Sequence, residues 1–90
     1  MDTEHSGHRY YTTMGSDLER DGMFLELVVD GRSEAPVLEV FFSDATGTFA
    51  LNTLETASVP LEIVQGLVRE AHERLPPLRE DAKGDAAPTI

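Results

Sequence analysis

Residues 23–30 and 37–43 alternate between the two faces of an extended chain, and one face of each segment carries only large apolar side chains. Successive side chains of a β-strand point to opposite faces of its sheet, so this two-residue period predicts two strands that border a core. An apolar segment at 48–55 and an aromatic and β-branched segment at 8–14 are further predicted strands. Because the connections are short, the sequence predicts an antiparallel meander of three to four strands.

The loop after the second of these strong strands predicts how the next strand pairs with it. Asp44 suits the start of a tight turn, and Gly47 can supply a positive φ at its end. A four-residue loop sets Phe42 opposite Phe49 and continues the apolar face into the third strand. A loop one residue shorter would mix apolar and polar side chains on both faces, so the four-residue loop is preferred.

Residues 59–75 predict one amphipathic helix that packs on one face of this sheet. Its apolar residues recur at helical spacing and form a single stripe: Ile63, Val64, Leu67, Val68, Ala71 and Leu75. Ser58 is the predicted N-cap and Pro60 fits a first turn, while Pro76 and Pro77 end the helix. The predicted fold class is therefore α+β.

The chain is short enough for one small domain, predicted to cover residues 1–77 with residues 1–7 frayed. Residues 78–90 are charged and small, which predicts a disordered acidic tail. The absence of cysteine excludes disulfides and thiolate metal sites. No secretory signal and no apolar run of about 20 residues is present, so we expect a cytoplasmic protein that does not bind membranes.

The sequence is strongly acidic, with 17 acidic residues, seven lysines and arginines, and a formal net charge of −10. Such a charge repels the phosphate backbone of nucleic acids and the surface of anionic membranes. It favours a basic protein partner over either of these. The alternative is that the charge serves solubility alone.

The second face of the predicted sheet is only half polar, although a solvated sheet face is normally polar. Six of its residues are the predicted partner-binding residues: Phe24, Glu26, Val28, Val37, Glu39 and Phe41. A contiguous apolar patch of this kind is typical of an interface. Phe24 and Phe41 are the expected anchors, because aromatic residues dominate interface hot spots. The two glutamates would favour a basic partner.

Three arrangements would cover the second face. The N-terminal segment would fold back and place Tyr10 and Tyr11 over it, in which case no partner is needed. Alternatively a different protein binds there, or a second copy of the chain does so in a homodimer, since small cores often depend on association.

Two groups of acidic and histidine residues contain the ligand types of a metal site. Asp17, Glu19 and Asp21 resemble the start of an EF-hand calcium loop, but the twelfth position, Val28, lacks the required bidentate glutamate. A second group is formed by histidines three apart and nearby carboxylates: Asp2, Glu4, His5 and His8. It lies in a segment predicted to fray, without the fixed geometry of a structural site. We therefore predict no metal site.

No catalytic or cofactor motif is present: there is no nucleophile elbow, no phosphate-binding glycine loop and no dinucleotide fingerprint. The sequence predicts no catalytic residues, no cofactor and no enzyme. It favours a non-enzymatic protein-binding module, in the manner of the small immunity, antitoxin and inhibitor proteins that share strands followed by a helix, an analogy of fold alone. A homodimeric structural or ligand-binding protein and a small cation-dependent enzyme at residues 17–21 are the alternatives.

Overall fold

A computed structural model of the chain describes residues 1–31, 35–55 and 57–77. Its elements are five strands and one helix: β1 Asp2–His5, β2 His8–Asp17, β3 Gly22–Val29, β4 Pro36–Ser43, β5 Thr48–Thr53 and α1 Leu61–Arg74. The strands form one antiparallel sheet in the order of the chain, β1-β2-β3-β4-β5. The predicted α+β meander with a C-terminal helix is therefore confirmed, with one strand more than expected.

Strand β1 is the additional strand, and the prediction that residues 1–7 fray is wrong. It pairs with β2 around a two-residue turn at Ser6 and Gly7, whose φ angles are 53° and 82°. Two positive φ angles are the mark of a type I′ turn, which matches the twist of the flanking strands. The strand itself has no apolar residue, so the two-residue period gave no sign of it.

The predicted pairing of the last two strands is confirmed. Phe42 faces Phe49, and Ser43 faces Thr48 across a four-residue loop. Gly47 has a φ of 72°, and its N–H donates to the Ser43 carbonyl oxygen at 2.7 Å. The requirement that one face stay apolar was sufficient to fix this register.

The core lies between the sheet and the helix. Most of its buried residues belong to β3, β4 and the helix stripe, among them Leu25, Leu27, Val40, Phe42, Ile63, Leu67, Ala71 and Leu75. Leu51, on the same sheet face but at the edge strand β5, is 50% exposed because it lies beyond the helix. The helix covers the middle of the sheet and contacts β5 at Phe49, whose ring centre lies 4.3 Å from that of His72, but it leaves Leu51 half exposed.

The helix begins later than predicted, and Ser58 is not its N-cap. Pro60 holds that position, and its carbonyl oxygen accepts the N–H groups of Ile63 and Val64 at 3.0 and 3.1 Å. No side chain caps the first turn. At the other end the Leu75 N–H still reaches the Ala71 carbonyl oxygen, and the two prolines follow directly, so the predicted end is confirmed.

One extra residue in β4 changes the face on which Val37 lies. Leu27 pairs with Leu38, but the next residue, Val28, pairs with Pro36, so Val37 is the additional residue of a β-bulge. Val37 is fully buried and belongs to the core beneath the helix. Its predicted place on the second face is therefore wrong, because a bulge interrupts the alternation on which the prediction depended.

No helix among the described residues is long and apolar enough to span a membrane. The predicted disordered tail, residues 78–90, lies outside the part of the chain that the structure describes.

Candidate functional site

The second sheet face, opposite the helix, is more self-contained than the sequence indicated. Two of its predicted partner-binding residues, Phe24 and Glu26, are partly exposed. Val28, Glu39 and Phe41 are only 4%, 5% and 8% exposed. A partner that approached this face would therefore meet only part of the predicted set.

Arg20, in the turn between β2 and β3, covers the centre of this face. Its guanidinium carbon lies 4.1 Å from the centre of the Phe41 ring, a distance at which the cation is attracted by the aromatic face. The same guanidinium donates to both carboxylate oxygens of Glu39, at 3.1 and 2.7 Å. Arg20 thus shields Phe41, one of the two predicted aromatic anchors, and Glu39, one of the two predicted recognition carboxylates.

Glu39 is a buried carboxylate whose charge is already compensated. Besides Arg20, the side-chain amide of Asn52 donates to it at 2.9 Å. The hydrogen bonds from Arg20 lower the pKa of Glu39 despite its burial, and the bond from Asn52 acts in the same direction. Glu39 therefore stays ionised in the fold but offers no uncompensated charge to a basic partner.

The turn that carries Arg20 is organised by Asp17. One Asp17 oxygen accepts the backbone N–H groups of Glu19 and Arg20, both at 3.1 Å, and the other accepts the Arg20 Nε–H at 2.6 Å. These bonds lower the pKa of Asp17, the side-chain bond from Arg20 most of all. The carboxylate that would have opened a calcium loop instead holds the turn over the sheet.

Two glycines leave room for the aromatic rings of this face. An added Cβ at Gly15 would lie 2.6 Å from the Phe24 ring, and one at Gly22 would lie 2.5 Å from the Phe41 ring. The outer end of each phenylalanine ring therefore lies over a neighbouring strand at a place without a side chain. This packing buries aromatic surface within one sheet layer.

The N-terminal segment extends the sheet and does not fold over it. Tyr10 belongs to the core on the helix side and is 5% exposed. Tyr11 lies on the second face opposite Val28, with the Arg9 guanidinium 4.8 Å from its ring centre. Arg9 is held in turn by both oxygens of Asp2, at 2.9 and 2.8 Å. The alternative that both tyrosines cover the second face is therefore wrong.

An accessible area remains near the middle of β2 and β3, which we call the open patch: Thr13, Phe24 and Glu26. Thr13 is exposed, and its hydroxyl contacts the Glu26 carboxylate at 3.5 Å. Glu26 lies directly opposite Glu39. Unlike Glu39, it has no cationic partner among the described residues. The open patch therefore combines a partly exposed aromatic ring with an uncompensated negative charge.

The predicted histidine group is not assembled as a metal site. His5 and His8 are paired across β1 and β2, but Asp2 is bound to Arg9, and the His5 Nε2 lies 3.4 Å from Glu62 of the helix. No cluster of three or more potential metal ligands occurs within residues 1–31, 35–55 and 57–77.

A group of polar contacts around Glu70 joins the helix to the sheet. Glu70 accepts hydrogen bonds from the Met1 ammonium at 2.9 Å and the Thr12 hydroxyl at 3.2 Å, and it is also paired with Arg74. Burial raises the pKa of Glu70, but the bonds from the ammonium and Arg74 outweigh it and the net pKa is lowered.

We expect stability to fall in acid because Glu39 and Glu70 both have lowered pKa values in the fold. Carboxylates with a depressed folded pKa stabilise the fold above their unfolded pKa, near 4.5, and lose that contribution as the pH falls through the folded pKa. Glu70→Gln should cost about 1–2 kcal/mol at pH 7 and flatten the loss in acid. Urea denaturation at pH 7 and pH 3 measures both effects, and an unchanged pH dependence in the variant would contradict this role.

An open groove of about 580 Å³ lies at the end of the helix, on the face of the sheet opposite the open patch. Its lining is partly apolar and partly charged: Met23, Asp44, Glu73, Arg74, Leu75, Pro76 and Pro77. Asp44 and Glu73 have no cationic partner among the described residues, so this end of the molecule is also negative in character.

No family model matches this chain, and comparison with curated proteins and with solved structures also found no match.

Proposed function

We propose that this protein is a non-enzymatic, cytoplasmic module that binds a basic protein. The open patch carries the proposal, because it places the Phe24 ring beside the uncompensated carboxylate of Glu26 on the sheet face opposite the helix. An aromatic anchor next to a negative charge suits a partner that presents an apolar residue with a flanking lysine or arginine. The net charge of −10 would steer such a partner towards the molecule.

The proposed binding surface has fewer residues than the sequence predicted, because Arg20 covers Phe41 and compensates the charge of Glu39. Phe24 and Glu26 are its anchor and its recognition charge, and Phe41 lies opposite Phe24 on the neighbouring strand. An immunity-, antitoxin- or inhibitor-type role, in which the module neutralises a basic protein, is one form of this function.

The homodimer remains the second candidate, because the same patch can meet its own copy. The negative charge opposes it, since each copy would bring the same uncompensated carboxylate, that of Glu26, to the interface. Sedimentation velocity at high protein concentration distinguishes the two: a dimer abolished by Phe24→Glu would replace the proposed function.

Affinity capture from the native host, with identification by mass spectrometry, tests the proposed function. We expect a basic protein on the wild-type chain, and a loss of at least tenfold in its recovery with Phe24→Glu. Leu61→Glu is the matched control, because Leu61 is 68% exposed on the helix, across the sheet from the open patch, and the substitution adds the same charge there. Equal recovery by the wild type and the Phe24 variant would refute a role for the patch.

A further inference from the structure

The two edges of the sheet differ in how they are protected against further pairing. β1, at one edge, has only four residues and carries Asp2 and Glu4. Short, charged edge strands discourage the addition of another strand. β5, at the other edge, has six residues and no charge, proline or bulge: its sequence is TFALNT. No described residue pairs with its outer side.

The hydrogen-bonding groups that β5 turns outward follow from its pairing with β4. The Leu54 N–H donates to the Val37 carbonyl oxygen at 2.9 Å. Antiparallel strands alternate between residues that bond to the neighbour and residues whose backbone groups point away. The N–H and C=O groups of Phe49, Leu51 and Thr53 therefore point to the open edge.

The side chains at this edge favour an extended peptide. Leu51 is 50% exposed and Leu54 is 45% exposed, so an added strand would find apolar contacts beside the free backbone groups. A six-residue strand is about 20 Å long, enough for three outward-facing residues to bond to a partner. Such strand addition obtains affinity from the backbone and selectivity from alternate side chains.

The charge of the molecule selects the kind of chain that would bind. Asp44, in the loop before β5, is exposed and has no cationic partner among the described residues. The molecule as a whole carries −10. A second copy would bring the same charge to the edge, whereas a segment with lysine or arginine beside its β-forming residues would be attracted.

We propose that the outer edge of β5 accepts an extended segment of a basic protein as a sixth strand of the sheet. This site is separate from the open patch, and it shares with the proposed function only the basic character of the partner. Variants at Phe24 and at Leu51 therefore separate the two proposals.

A capped peptide, Lys-Val-Thr-Val-Thr-Lys, is the probe for this site, with Glu-Val-Thr-Val-Thr-Glu as its acidic counterpart. Amide hydrogen exchange of the full chain should show Phe49, Leu51 and Thr53 unprotected, and saturating basic peptide should slow their exchange at least tenfold. The acidic peptide should have no effect. Equal protection by both peptides would overturn the expected preference for a basic segment. Protection by neither peptide would overturn the site itself.

Leu51→Pro removes one N–H group that points to the open edge and leaves the hydrogen bonds between β4 and β5 intact. It should therefore weaken peptide binding at least tenfold. Leu51→Thr is the matched control, because it alters the side chain and keeps the N–H; its affinity should stay within about threefold. Should Leu51→Pro fail to fold, a basic peptide N-methylated at alternate residues tests the same bonds on the wild type and should not bind. Full binding by that peptide, or a wild-type dimer abolished by Leu51→Lys, would overturn the proposal.

Discussion

Gly22→Ala is expected to lower the free energy of unfolding by about 3 kcal/mol or more. A Cβ at this position would lie 2.1 Å from the Phe42 carbonyl oxygen and 2.5 Å from the Phe41 ring. The carbonyl belongs to the backbone of the adjacent strand, so the contact cannot be relieved by a change of rotamer. The first residues of β3 would have to separate from β4, and urea denaturation followed by circular dichroism measures the loss.

Gly66→Ala is the matched control for this prediction. Apart from its chain neighbours and the backbone of the helix itself, the one described atom within 4 Å of a Cβ there is the Met1 terminal methyl, at 3.0 Å, and it is the flexible end of a side chain. Alanine is the better helix former by up to about 1 kcal/mol, so this variant should be neutral or stabilising. Similar losses from both variants would contradict the steric account. Among the described residues no sheet atom lies within 4 Å of a Cβ at this position, so packing against the sheet does not require glycine there.

Arg20→Ala is expected to cost about 2–3 kcal/mol at pH 7. Removal of one partner of a buried ion pair leaves the other charge buried and uncompensated, at a cost of about 3–5 kcal/mol. The lower value applies here because the Arg20 side chain is 41% exposed and part of its interaction is screened. The variant would also uncover the Phe41 ring, so it should bind a hydrophobic dye more strongly than the wild type.

The pH dependence of this variant distinguishes the ion pair from simple packing. Without Arg20, burial should raise the pKa of Glu39, so its charged form opposes folding and protonation relieves it. Between pH 7 and pH 5 the variant should gain stability, whereas the wild type should not. Arg69→Ala is the control: Arg69 is exposed and has no ion pair among the described residues, so the same loss of charge should change little. A parallel pH dependence of the Arg20 variant and the wild type would disprove the mechanism.

The fold was largely predictable because its main signals are local and periodic. The alternation in β3 and β4, the helical stripe and the single-face rule at the β4–β5 loop all give one consistent answer. The departures have physical causes. β1 lacks apolar residues, and the bulge at Val37 interrupts the two-residue period. The helix starts after Pro60, whose side chain has no acceptor for a capping bond, and not after Ser58.

The candidate site was predictable only in part, because its shielding depends on contacts between residues distant in sequence. Arg20 and Glu39 are 19 residues apart, and no periodicity connects a turn arginine to a strand carboxylate. One sequence signal existed. An aspartate followed three residues later by an arginine, in a glycine-ended turn, often orders that turn, but it does not show where the guanidinium points.

The inequality of the two sheet edges limits how far any assembly can grow. A sheet that can be extended on both sides can continue into a fibril, whereas one that is blocked on one side accepts a single addition and stops. With β1 short and charged and β5 neutral, complexes formed at β5 should have one-to-one stoichiometry at any concentration. The same asymmetry would let this protein keep one sheet edge open for binding without a tendency to polymerise.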